Sequence, residues 1–127
     1  MSSVLVVDDD PEMRAYIADC VTRLGHDVIV ANDGVAGLEM IETVKIDLVI
    51  TDISMPRKNG IELILDLAKR ASKIPVIVAT GSAMSKSVET AAWLHGAVTI
   101  LRKPFRPEQL ETAMQARLWD QRRSGAE

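Results

Sequence analysis

Three short stretches of the 127-residue chain are apolar almost without a break: VLVV at 4–7, LVIT at 48–51 and VIVAT at 76–80. A strand with one face in water alternates apolar and polar residues. A strand that does not alternate must be covered on both faces, which is the situation of parallel strands between layers of helices. This pattern narrows the fold more than any other feature of the chain. Two further runs, Asp27–Ala31 and Ala97–Leu101, are brief, rich in Val and Ile or flanked by turn residues, and also read as strands. The three core runs extend to Asp47–Thr51, Pro75–Thr80 and Val4–Val7.

Amphipathic segments lie between the strands. Pro11–Leu24 carries Met13, Ile17, Cys20, Val21 and Leu24 at helical spacing, and Gly25 is placed to stop it. Gly34–Thr43, Ile61–Ala71, Ser85–His95 and Pro107–Trp119 follow, the last with Leu110, Met114 and Leu118 on one face. Five strand–helix pairs in sequence predict an α/β fold, a doubly wound parallel sheet with helices on both faces. The length suits one domain. Hydrophobic residues at 47% supply a core, and aromatics at 3% make that core mainly aliphatic. Residues 120–127 carry no apolar pattern and read as a short polar tail.

The formal net charge of −3 argues against a nucleic-acid binder held by a basic face. One cysteine, Cys20, excludes an internal disulfide and reads as a small buried side chain. The first residues, MSSVLVV, lack the basic region of a signal peptide, and no apolar run is long enough to span a bilayer. A cytoplasmic protein without a membrane partner is the expectation.

In open parallel sheets, ligands bind beyond the carboxyl ends of the strands. The first strand ends in Asp8-Asp9-Asp10, the third in Thr51-Asp52, the fourth in Thr80-Gly81-Ser82 and the fifth in Arg102-Lys103-Pro104. Asp10 precedes Pro11, a residue suited to the first helical position, so Asp10 is expected to cap the first helix. Asp8, Asp9 and Asp52 then form a cluster of carboxylates that is costly without a cation. Oxygen donors of this kind suit Mg²⁺, which keeps several waters and needs few protein ligands. A carboxylate can also attack phosphorus, given a metal ion and a cationic side chain to neutralise the phosphoryl oxygens. Asp52 is the expected nucleophile, Lys103 the cation and Thr80 a hydrogen-bond donor.

Taken together, VLVVDDDP, VITDISMP, VIVATGS and LRKPF resemble the receiver domain of two-component response regulators, over about residues 4–118. The resemblance implies a flavodoxin-like (βα)5 fold with strand order 2-1-3-4-5. It implies Mg²⁺ held by Asp8, Asp9, Asp52 and the backbone carbonyl of Ser54. Asp52 would be the phosphoacceptor, Thr80 the switch hydroxyl and Lys103 its partner, with a cis Lys103–Pro104 bond. The implied partners are a histidine kinase or histidine phosphotransfer protein upstream. Downstream is a protein target met through the face of helix four, strand five and helix five, or a further phosphotransfer step. The expectation is a stand-alone receiver at 1–119 that acts as a switch rather than an enzyme.

Four positions depart from the family's usual pattern. Gly81 follows Thr80 where alanine is commonest, and Ile100 stands where an aromatic usually rotates. Arg106 replaces a common acidic cap, and Arg57-Lys58-Asn59 is unusually basic and reads as a solvated loop, with a partner contact as the alternative. Trp93 and Trp119 read as core-edge cover, with a partner anchor as the alternative. His26 and His95 stand away from the acids, and no glycine pattern forms a phosphate loop. An aspartyl-phosphate hydrolase would want a second Asp two residues after the nucleophile, where this chain has Ser54. A flavodoxin-like cofactor binder would want a phosphate loop where it has three acids. A receiver that binds partners without phosphorylation is the remaining alternative.

Overall fold

A computed structural model describes residues 2–55, 57–70, 72–81, 86–94 and 97–126. The elements alternate as expected: β1 (Ser3–Val7), α1 (Pro11–Arg23), β2 (Asp27–Ala31), α2 (Gly34–Thr43), β3 (Leu48–Thr51), α3 (Gly60–Lys69), β4 (Val76–Thr80), α4 (Lys86–Leu94), β5 (Ala97–Arg102) and α5 (Pro107–Ala126). The strands form one parallel sheet in the order β2-β1-β3-β4-β5. The expected helix ends Ala71, Ser85 and His95 lie outside the described residues.

The unbroken apolar strands divide their side chains between two cores, because successive residues of a strand face opposite sides. Val4, Val6, Ile50, Ile77 and Ala79 meet Ile17, Cys20 and Val21 of α1 and Leu110 and Met114 of α5. Leu5, Val7, Val49, Val76 and Val78 meet Leu63, Ile64 and Leu67 of α3 on the other side. Burying side chains of this size contributes about 1.5–3 kcal/mol each. The central strands therefore fix the sheet, and their carboxyl ends are held at one edge.

Local signals act as the residues predict. The Asp10 carboxylate accepts a hydrogen bond from the Glu12 N–H at 3.1 Å and caps α1, with Pro11 in the first turn. Gly25, at φ +91°, ends that helix. Its N–H donates to the Thr22 carbonyl while the His26 N–H reaches the Val21 carbonyl, a Schellman closure. Cys20 is buried, and burial raises its thiol pKa, as an inert core cysteine requires. Helix α5 runs on to Ala126, so the backbone of residues 120–126, read as a short polar tail, is helical.

Candidate functional site

The strand order places the ends of β1 and β3 side by side, with β4 next and β5 beyond it. Asp8 follows β1 and is 1% exposed. Its Oδ1 accepts the Asp10 N–H at 3.0 Å, and its backbone N–H donates to the Ala31 carbonyl at the end of β2. Asp52 follows β3, where its N–H donates to the Val7 carbonyl and its Oδ1 accepts the Ile53 N–H at 2.6 Å. Carboxylate oxygens of Asp8, Asp9 and Asp52 lie within 4.8 Å of one another.

Lys103 reaches back from the end of β5 into this cluster. Its Nζ lies 2.8 Å from Asp8 Oδ2 and 3.1 Å from Asp52 Oδ2. Burial alone would lower the lysine pKa. The hydrogen bond to Asp8 and the attraction of Asp52 outweigh it, and the net displacement is upward. Lys103 is thus a fixed cation at neutral pH. The backbone aids its placement, the Lys103 N–H donating to the Thr80 carbonyl at 2.9 Å; the Lys103–Pro104 bond is cis, as the resemblance implies. Thr80 is buried at the end of β4, and Ser54 lies exposed two residues beyond Asp52.

The donor set fits a divalent cation. Three carboxylates facing one ammonium leave two formal negative charges unbalanced, all on hard oxygens. Asp8, Asp9, Asp52 and the Ser54 carbonyl would hold Mg²⁺, and the ion would supply charge neutralisation for an incoming phosphoryl group.

Gly60 packs directly over Asp52. A Cβ there would overlap the Asp52 carbonyl oxygen, and the Gly60 N–H donates to the Ile53 carbonyl at 3.0 Å. Only glycine lets α3 start this close to the strand end.

Two parts of the site were not legible in the sequence. Arg14 donates from Nη1 to the Asp8 carbonyl at 2.9 Å, bringing a second cation to the end of β1. Its spacing of six from Asp8 is a weak signal without the turn between them. The second part is the ties of Arg57-Lys58-Asn59, which is a loop with Arg57 exposed, as expected, but whose side chains also make specific contacts. Arg57 forms a two-pronged ion pair with buried Asp33, Lys58 pairs with Asp66, and Asn59 and Glu62 form a capping box on α3.

The remaining departures have physical accounts. Gly81 lies open: a Cβ there would meet Lys103 Cβ and Cδ at 3.6 Å, an ordinary contact. Ile100 is half-buried against the α3 side of the sheet. Arg106 lacks an acidic side chain, but Gln109 replaces half of the cap, accepting the Arg106 N–H at 2.8 Å. On α4, Trp93 and Leu94 are 48% and 76% exposed, so Trp93 does not cover a core edge. The side chain of Trp119, and Ser82 and His95 altogether, lie outside the described residues. His26 sits at the far end of α1 from the acids.

A doubly wound sheet with an acid triad and a lysine at its carboxyl edge defines a class of phosphorylation switches. The model of the response regulator receiver domain matches residues 4–115, and the chain belongs to that family. Response regulator MprA of Mycobacterium ulcerans is 36% identical over 115 residues, 91% of this chain and 49% of that protein. Hybrid signal transduction histidine kinase D of Dictyostelium discoideum is 34% identical over 109 residues, 84% of this chain and 7% of that protein. The chain thus spans half the length, or far less, of these relatives. Among solved structures, a CheY-like receiver domain protein from Methanospirillum hungatei superposes with a TM-score of 0.92 at 27% identity, covering 98% of both chains. Response regulator TrrA from Thermotoga maritima, solved with Mg²⁺ and beryllofluoride, gives 0.83 at 27% identity, covering 91% of this chain and 98% of that one. The family is one of phosphoacceptor signalling switches, and the fold of these neighbours is the fold of this chain.

Proposed function

We propose that Asp52 accepts a phosphoryl group from the phosphohistidine of a histidine kinase or phosphotransfer protein, in a site that requires Mg²⁺. The observation that carries this reading is the bridging of Asp52 and Asp8 by Lys103, with carboxylate oxygens of Asp8, Asp9 and Asp52 within 4.8 Å of one another. A carboxylate oxygen of Asp52 attacks phosphorus in line with the leaving imidazole. A phosphorus–oxygen bond forms as the phosphorus–nitrogen bond breaks; the donor ring, protonated on its other nitrogen, takes the electron pair of the broken bond and leaves as neutral imidazole. Lys103, already beside the oxygen that reacts, shifts its ammonium to the new phosphoryl oxygens. Asp8, Asp9 and the Ser54 carbonyl would hold the Mg²⁺, which would supply further charge neutralisation.

Thr80 then supplies a hydroxyl hydrogen bond to the phosphoryl group. Its inward move biases a pre-existing equilibrium of the α4–β5–α5 face. With Ile100 in place of an aromatic, that bias is carried by β4 rather than by a rotating ring. The signal leaves by contact with a protein target on this face or by onward phosphotransfer, and the protein works as a cytoplasmic switch. No helix among the described residues is long and apolar enough to cross a membrane.

Beryllofluoride mimics the phosphoryl group and tests the site without a kinase. Fluorine NMR of the protein with beryllofluoride should show a bound signal when Mg²⁺ is present. That signal should be lost in Asp52→Ala and on chelation of the metal. Binding that survives either change would contradict the assignment.

A further inference from the structure

The proposed metal site has two halves on different parts of the chain. Asp8 and Asp9 follow β1, while Ser54 lies in the loop between β3 and α3. That loop is tied at its far end to its own helix, by the Asn59–Glu62 capping box and the Lys58–Asp66 pair. These ties do not set its position relative to Asp8 and Asp9.

A different element does. Asp33 caps α2, its Oδ1 accepting the Ala36 N–H at 2.8 Å. The same buried carboxylate receives Arg57 Nε at 2.6 Å on Oδ2 and Arg57 Nη2 at 3.1 Å on Oδ1. Beside it, the Gly34 N–H donates to the Lys58 carbonyl at 2.9 Å, so close that a Cβ on Gly34 would overlap that oxygen. Arg57 holds φ +64°, a left-handed conformation that side-chain-bearing residues avoid unless the surroundings impose it. Only two residues before Asp33, the Ala31 carbonyl accepts the Asp8 N–H at 3.1 Å. A short path therefore runs from Asp8 through Ala31 and Asp33 to Arg57 and the loop that carries Ser54.

We infer that Asp33 and Arg57 are positioning residues for Mg²⁺: their two-pronged pair sets the β3–α3 loop so that the Ser54 carbonyl faces Asp8 and Asp9. Neither residue touches the ion. The inference rests on the Mg²⁺ reading of the acid cluster, and it adds a requirement that this reading does not contain.

At Arg57, charge and positioning predict opposite signs, which makes the inference testable. If Arg57 acted only through its charge, removing a cation would tighten Mg²⁺ binding and removing the Asp33 anion would weaken it. If the pair positions the loop, both losses weaken binding. The probe is Mg²⁺ alone, titrated calorimetrically into the full chain as wild type, Asp33→Asn, Arg57→Asn and Arg57→Lys. Asparagine at 33 keeps a good helix cap, and asparagine at 57 tolerates the left-handed backbone. Both Asn variants should bind Mg²⁺ about tenfold more weakly, the size of effect seen when the residues orienting metal ligands are lost. Arg57→Lys keeps the charge without the fork, and should fall between them and the wild type.

Thermal midpoints without Mg²⁺ separate folding from binding: Asp33→Asn loses the ion pair and should melt below the wild type, but should remain folded at the titration temperature. Affinities within about twofold of wild type in both Asn variants would overturn the inference, as would tighter binding by Arg57→Asn. In either case wild-type binding leaves the metal reading standing. A wild type that binds no Mg²⁺ would bring down both.

Discussion

Lys103 Nζ stands 3.1 Å from Asp52 Oδ2, joining the end of the edge strand β5 to the end of the central strand β3 across β4. The same nitrogen is 2.8 Å from Asp8, so one cation offsets the mutual repulsion of the buried Asp8 and the half-buried Asp52. Lys103→Met should therefore destabilise the metal-free protein by about 1–3 kcal/mol, the cost of leaving charged groups buried without a partner. Mg²⁺ should restore more stability to this variant than to the wild type, because the divalent ion takes over the neutralisation. Phosphoryl transfer to Asp52 should still slow by about 100-fold, since a fixed charge at the reacting oxygens is gone. Denaturant melts with and without Mg²⁺, and phosphorylation rates, check the two arms.

The alkaline limb of the stability curve reports the same contact. The folded pKa of Lys103 is raised above its ordinary 10.5 by Asp8 and Asp52 against the opposing effect of burial. The stability it contributes is fully present below 10.5 and is lost as pH rises through the higher folded value. Unfolding free energy should be flat on this account through neutral and mildly alkaline pH, and fall only above that range. Lys103→Met should lack the fall.

Asp33 governs the acid limb in the opposite sense. The hydrogen bond from Arg57, followed by the Ala36 N–H, lowers its pKa below the ordinary 3.8. Its stabilisation is present above 3.8 and disappears as pH drops through the folded value. Asp33→Asn should flatten the loss of stability below about pH 4. Acid titrations followed by circular dichroism at low salt would show it.

Two glycines beside the site should respond differently to alanine. Gly60→Ala forces a Cβ against the Asp52 carbonyl and should cost about 1–3 kcal/mol and weaken phosphorylation together. Gly81→Ala meets only an ordinary contact with Lys103 and should raise stability by about 0.4–1 kcal/mol through the unfolded chain. The pair, compared in one set of urea melts, separates close packing from backbone freedom.

These residues also mark how far sequence alone could go. Asp8, Asp9, Asp52, Thr80 and Lys103 were legible because each terminates a strand, and strand ends of a parallel sheet converge whatever the loop details. The order of the strands was not legible in the apolar runs, which are interchangeable as patterns; it came with the family resemblance. Contacts made by long side chains were the hardest. Arg14 reaches a carbonyl across the β1–α1 turn, and Arg57 reaches Asp33 across 24 residues by way of a left-handed backbone. No periodicity encodes either one. Trp93 shows the same limit: helical spacing places it on α4, but only the packing leaves it 48% exposed. The helix through residues 120–126 lacks an apolar stripe, and a pattern reading stops where the stripe does.

The most direct measurement is intact-protein mass after incubation with acetyl phosphate, with and without Mg²⁺, for the wild type and Asp52→Ala. The account predicts a single added phosphoryl group on the wild type only when Mg²⁺ is present, and none on Asp52→Ala. Phosphorylation of Asp52→Ala, or addition to the wild type without the metal, would contradict Asp52 as the metal-dependent phosphoacceptor.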